Sequence, residues 1–165
     1  FYALETGVVK GDPAGSDYVK VAVGGWYNTA NFEDIAGKDR NSNGGIYLIA
    51  ERAVTEKLGL FCQLGTAQAD RNQIGAYVGA GLNWKGLVME EDVLGLAVAH
   101  ARNGNEYRDV EGPVDRAETT VELTYQASLS ERLSIQPSLQ YVMNPGMDPN
   151  VDDAVVYGLR LVAVY

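Results

Sequence analysis

The chain has 165 residues, enough for one domain, and no run of about 18 uninterrupted apolar residues, which excludes a transmembrane helix. A net charge of -9 argues against nucleic acid as a partner, because phosphate binding needs a cationic surface. A mean hydropathy of -0.14 is ordinary for a soluble protein, yet it leaves a membrane β-barrel open, because barrel strands alternate lipid-facing and lumen-facing residues.

Period-two alternation runs through almost the whole sequence and predicts eight strands. Residues 1–17 read as a turn or linker. The first strand alternates Val19, Val21, Val23, Gly25 and Tyr27 with Tyr18, Lys20, Ala22, Gly24 and Trp26. Strands are then expected at about 45–55 and 59–67. Glu51 and Arg52 are neighbours there, so one must point away from a polar interior, and the pattern alone does not fix which. The fourth strand sets Ile74, Ala76, Val78, Ala80, Leu82 and Trp84 against Gly75, Tyr77, Gly79, Gly81, Asn83 and Lys85. A fifth lies at about 93–102.

The last three strands have the clearest two faces. Val121, Leu123, Tyr125, Ala127 and Leu129 oppose Thr120, Glu122, Thr124, Gln126 and Ser128. Leu133, Ile135, Pro137, Leu139 and Tyr141 oppose Ser134, Gln136, Ser138, Gln140 and Val142. Pro137 cannot donate to a ladder and is expected at a bulge or a non-bonding position. Val155, Tyr157, Leu159, Leu161, Ala163 and Tyr165 oppose a face that admits Arg160. The connections at 29–43, 68–73, 103–116 and 144–153 are mostly long, whereas 56–58, 86–92 and 130–132 are shorter. That segregation, runs of about ten residues and tyrosines at run ends match an outer-membrane barrel.

At this point seven blocks, in order, resemble the carbohydrate-selective porins of the OprB type. They are GGWYNTANFED at 24–34, GGIYLIAER at 44–52, GLFCQLGTAQADRN at 59–72, AYVGAGLNWKGL at 76–87, EDVLGLAVAHAR at 91–102, ETTVELTYQASLSERLSIQPSLQYVMNPG at 118–146 and AVVYGLRLVAVY at 154–165. The resemblance implies an all-β fold, an antiparallel transmembrane barrel of which eight strands would be the C-terminal half of sixteen. It implies a channel in the outer membrane of a Gram-negative bacterium for passive diffusion of small sugars. It further implies glucose-like sugars, outer-membrane lipid, a homotrimer and the outer-membrane assembly machinery as partners, with Tyr165 ending the strand signal that this machinery reads. The channel-narrowing loop is expected in the preceding half. Two departures stand out: Phe61-Cys62-Gln63 where the family often has Phe-Ala-Arg, and Gln68 where it has proline.

The expected lumen residues that contact substrate are Glu122, Gln126, Gln136, Gln140 and Arg160, with Asp70 and Arg71 on a loop that folds over the mouth. No catalytic residue, cofactor or metal is expected. His100, the one histidine, follows Leu94, Leu96 and Val98 on one face and reads as interfacial. Cys62 reads as a buried or lipid-facing thiol. The segment 148–153 starts like a calcium loop but lacks glycine at its sixth position, and Leu159 stands at its twelfth. Glu90 and Glu91, adjacent in a turn, cannot flank one glycosidic bond. The competing readings are a small eight-stranded outer-membrane barrel with a structural or adhesion role, its interior filled by side chains, and a soluble β-sandwich lectin.

Overall fold

A computed structural model describes residues 1–13 and 15–164. Nine long strands lie side by side in chain order, every neighbouring pair antiparallel. They are β1 (Tyr2–Lys10), β2 (Val19–Asn28), β5 (Asn43–Ala53), β6 (Leu58–Ala67), β7 (Ile74–Lys85), β8 (Val93–Asn103), β9 (Ala117–Ser130), β10 (Leu133–Met143) and β11 (Ala154–Ala163). A short hairpin, β3 (Phe32–Glu33) and β4 (Asp39–Arg40), sits inside the connection from β2 to β5. A seven-residue helix, α1 (Asn105–Glu111), sits between β8 and β9. Among the described residues, β1 and β11 are the two ends of the sheet and do not pair with each other, so these strands form an open sheet, not a closed small barrel.

Residues 2–10 correct the expectation of a turn or linker. They pair with β2 over their whole length, from Tyr2 opposite Tyr27 to Lys10 opposite Val19. Tyr2, Leu4 and Val8 alternate with Ala3, Glu5 and Gly7, but Thr6 among the apolar set and Val9 among the polar set blur the contrast. The strand count therefore rises from eight to nine.

The pairing register sorts the side chains. Residues opposite one another share a face, so one row follows from another across the sheet. Leu60, Leu82, Leu96, Leu123 and Leu139 form one such row, ending on Tyr157. Lys20, Glu51, Phe61, Gly81, Ala97, Glu122 and Gln140 form a row on the other face. The pairing also resolves Glu51 and Arg52: Glu51 stands opposite Lys20, on the polar face, and Arg52 stands opposite Leu60, on the apolar one. Pro137 faces Leu159 of β11, while the ladder to β9 has no paired residue between Ile135 and Ser138. Its missing N–H is therefore tolerated inside a long strand.

Connections 11–18, 54–57, 86–92 and 131–132 lie at one end of the sheet, and 29–42, 68–73, 104–116 and 144–153 at the other. No helix among the described residues is long and apolar enough to cross a membrane. Most large apolar residues of the leucine face remain exposed, among them Leu123, Leu139 and Leu161. A face of this size left open to solvent marks a surface built to meet another apolar medium.

Candidate functional site

The polar face is the concave one. A trough of about 520 Å³ is lined from β6 to β11 mainly by residues at polar-face positions, among them Phe61, Asn83, Glu122, Thr124, Gln136 and Arg160, with Leu82, Leu96 and Leu159 of the other set also at its wall. Six consecutive strands can reach one hollow only if the sheet curls toward them.

Within it, Glu122 accepts a hydrogen bond from Gln140 Nε2 at 2.8 Å, across the β9–β10 pair. Arg160 stands opposite Gln136. Gln126 belongs to the same face and is aligned with Gln136 by the registers on either side of it, outside the trough lining. The five lumen candidates from β9, β10 and β11 therefore share one face.

The same face carries polar and aromatic groups that the sequence reading did not single out. Lys20 Nζ lies 3.4 Å from Glu51 Oε1, and the Tyr18 hydroxyl donates to Glu51 Oε2 at 3.2 Å. The Tyr47 hydroxyl donates to Glu5 Oε2 at 2.7 Å. Rings lie flat over glycines: Tyr47 covers Gly24, Trp26 covers Gly45 and Phe61 covers Gly81. A side chain at any of these glycines would collide with the ring, so small residues opposite large ones let the aromatics lie against the wall. Alternate spacing from Gln63 and Lys20 was the signal that could have found them. Gln63 also falls on this face, opposite Ile49.

Asp70 and Arg71 occupy a different place. They form a clasp between the connections 29–42 and 68–73. Arg71 donates through Nη1 to the Ser42 carbonyl and, at 2.8 Å, to Gln68 Oε1, and its Nε lies 3.5 Å from Asp70. Asp70 also meets Arg40 at 3.7 Å, and its carbonyl accepts the Ile35 N–H at 2.9 Å. Asn43 and Asn72 exchange side-chain amide bonds at 2.8 and 3.1 Å. Beside them Asp34, nearly buried, accepts from the Lys38 and Ala36 N–H groups and from Arg40 Nε. The Lys38 bond, helped by Arg40 and Ala36 against the cost of burial, holds the Asp34 carboxyl below its usual range. The clasp continues along the rim: Gly104 N–H donates to the Gln73 carbonyl and Asp115 N–H to the Met147 carbonyl.

His100 and Cys62 both fall on the apolar face, His100 with its Nδ1 2.8 Å from Thr119 Oγ1. In the 148–153 segment the carboxylates are engaged locally. Asp148 accepts from the Asn150 backbone and side chain, and Asp153 from the Tyr141 hydroxyl and the Asn144 N–H. Tyr165 lies outside the described residues.

A sheet with one greasy convex face and one wet concave face matches a known family model, "Carbohydrate-selective porin, OprB family", over residues 13–165. The chain belongs to that family. It is 25% identical to Porin B of Pseudomonas aeruginosa over 87% of this chain and 40% of that protein. Its fold is that of the solved structure of Pseudomonas putida OprB at high pH, with a TM-score of 0.86 and 21% identity, over 98% of this chain and 47% of the other. The chain thus spans less than half the length of these relatives. The family places this OprB-type chain in the outer membrane of a Gram-negative bacterium. In such barrels short turns face the periplasm and long loops face outside.

Proposed function

We propose that the whole protein is a passive channel for small sugars, not an enzyme, and that this chain supplies the C-terminal part of a sixteen-stranded wall. The observation that supports the reading is the curvature: the open sheet curls its polar face toward a trough and leaves most of its leucine face exposed. Sugars present hydroxyls on their rims and weakly apolar faces. Glu122, Gln126, Gln136, Gln140 and Arg160 exchange hydrogen bonds with the hydroxyls, and Phe61 stacks on a sugar face beside them. Charged groups of both signs on one wall disfavour free passage of simple ions. Each contact must stay weak, because a tight site would block flux.

In this reading Asp70 and Arg71 act at one remove, by fixing the loops that border the mouth. The test uses the full-length protein in planar bilayers and in liposomes. Glucose should produce concentration-dependent block of single-channel current, and Arg160→Ala should weaken it. Swelling by sugars of graded size should show a cut-off. A channel that neither swells liposomes with sugars nor shows block would sink the proposal.

A further inference from the structure

The convex face is sorted by sign as well as by polarity. Asp and Glu outnumber Lys and Arg by 22 to 13 in the chain. Yet among the described residues no acid stands at an outward position of the nine strands: Glu5, Glu51, Glu118 and Glu122 all fall on the concave side. The charged groups that do face outward are cations, and all sit at strand ends. Lys10 ends β1 and Arg52 is next to last in β5; Val19 pairs with both, so they share one row at the short-turn rim. Arg102 is next to last in β8, at the long-loop rim, with His100 two residues below it on the same face.

Two acids in the connections are engaged by tyrosines of this face. Asp92 and Asp153 lie in connections, one at each rim, and each accepts a hydroxyl bond from an outward tyrosine, Tyr125 at 2.6 Å and Tyr141 at 2.7 Å. Arg102 is exposed, and small Ala76 and Ala117 stand on either side of it. A guanidinium set between two alanines at the edge of an apolar band can reach outward with nothing covering it.

We propose that the outward cations Arg102, Arg52 and Lys10 seat the phosphates of membrane lipids: Arg102 in the outer leaflet, with the His100 ring beside it as a further hydrogen-bonding group, and Arg52 with Lys10 in the periplasmic leaflet. The chemistry required is a phosphate on a headgroup held at the depth of the strand ends, which free phosphate in solution does not match. The inference rests on the porin reading only in taking the leucine face as the lipid side. An outward carboxylate at either rim would repel the headgroups, and the strands carry none.

The experiment reconstitutes the full-length protein in nanodiscs of phosphatidylcholine doped with phosphatidylglycerol or with bis-phosphorylated lipid A. Native mass spectrometry then counts retained lipids. The wild type should retain the doped anionic lipids over phosphatidylcholine, by about fivefold for each cation engaged. Arg102→Gln with His100→Gln should lose the lipid A preference, and Arg52→Gln with Lys10→Gln the phosphatidylglycerol preference. Lys85→Gln, on the concave face, should keep both. A wild type without preference, or outward variants that retain it, would overturn the proposal. Liposome swelling on the same samples separates the two ideas, since a channel that conducts sugar without lipid preference leaves the porin reading standing and this one not.

Discussion

The Tyr125 hydroxyl donates to Asp92 Oδ2 at 2.6 Å, tying β9 to the turn between β7 and β8. The same carboxylate accepts the N–H groups of Leu87, Val88 and Met89 at 2.7, 2.8 and 2.9 Å, so one buried side chain organises the whole 86–92 turn. Burial alone would push the Asp92 carboxyl up. The Tyr125 hydroxyl and the three N–H donors outweigh it and hold the group well below the usual carboxylate range.

The pH dependence of that turn follows from the sign of the shift. A depressed folded-state pKa means the stabilisation is complete above the ordinary aspartate value, near 4, and is lost only as pH falls through the lower folded value. Protection of the Leu87, Val88 and Met89 amides should therefore persist at pH 4. Asp92→Asn should lower it by about tenfold, the order of one lost hydrogen bond, and Tyr125→Phe by less. Hydrogen exchange by mass spectrometry checks this. Equal protection in wild type and Asp92→Asn would refute it.

Substitutions on opposite faces of β9 should differ in kind. Leu123 lies on the leucine face and Gln126 on the polar face, which the proposed channel sets against lipid and lumen respectively. Leu123→Arg should cost about 2–4 kcal/mol in a bilayer, because a cation at the lipid face must be desolvated. Gln126→Arg should stay within about 0.5 kcal/mol, since water reaches that side. Reversible unfolding in lipid measures both. Equal costs would mean that the two faces are not lipid and water.

The rings laid over glycines make a coupled prediction. Any side chain at Gly24 would intrude on the Tyr47 ring, whose hydroxyl is bonded to Glu5. Gly24→Ala should cost about 1–3 kcal/mol by overpacking. Removing the ring should recover most of it, so Gly24→Ala combined with Tyr47→Ala should cost well under the sum of the two single costs. Additive costs would show that the ring and the glycine are independent.

Much of this architecture was legible in the sequence because a strand's side chains alternate with a fixed period. Glu122, Gln136 and Arg160 could be placed on one face from the leucines and tyrosines between them. Two things were not legible. At Glu51 and Arg52 the charges are adjacent, so only pairing with Lys20 and Leu60 decides which turns outward. In β1, Thr6 and Val9 sit on the faces opposite to their polarity, and the strand is recognised by its ladder to β2. The loop clasp lay further out of reach. Asn43 and Asn72 are joined by side-chain bonds across two strands, and no local pattern announces such a pair.

That clasp yields the last prediction. Arg71 is largely covered, its side chain 13% exposed, and its bond to Ser42 adds to the contacts that the 68–73 connection makes through Arg40, Ile35, Asn43 and Gly44. Hydrogen bonds to a charged group carry more than neutral ones, so Arg71→Ala should release the 29–42 connection before any strand opens. Limited proteolysis of the folded protein should cut within 29–42 about ten- to a hundredfold faster, with the melting of the sheet little changed. Because Lys38, Arg40 and Ala36 hold the Asp34 carboxyl below its usual range, the β3–β4 side of the clasp should keep its protection down to pH 4 and loosen only in stronger acid. Arg71→Lys should restore only part of the wild-type resistance, since one ammonium cannot span Ser42, Gln68 and Asp70 as the planar guanidinium does. An unchanged cleavage rate in Arg71→Ala would mean that the loops are held by their backbone bonds alone.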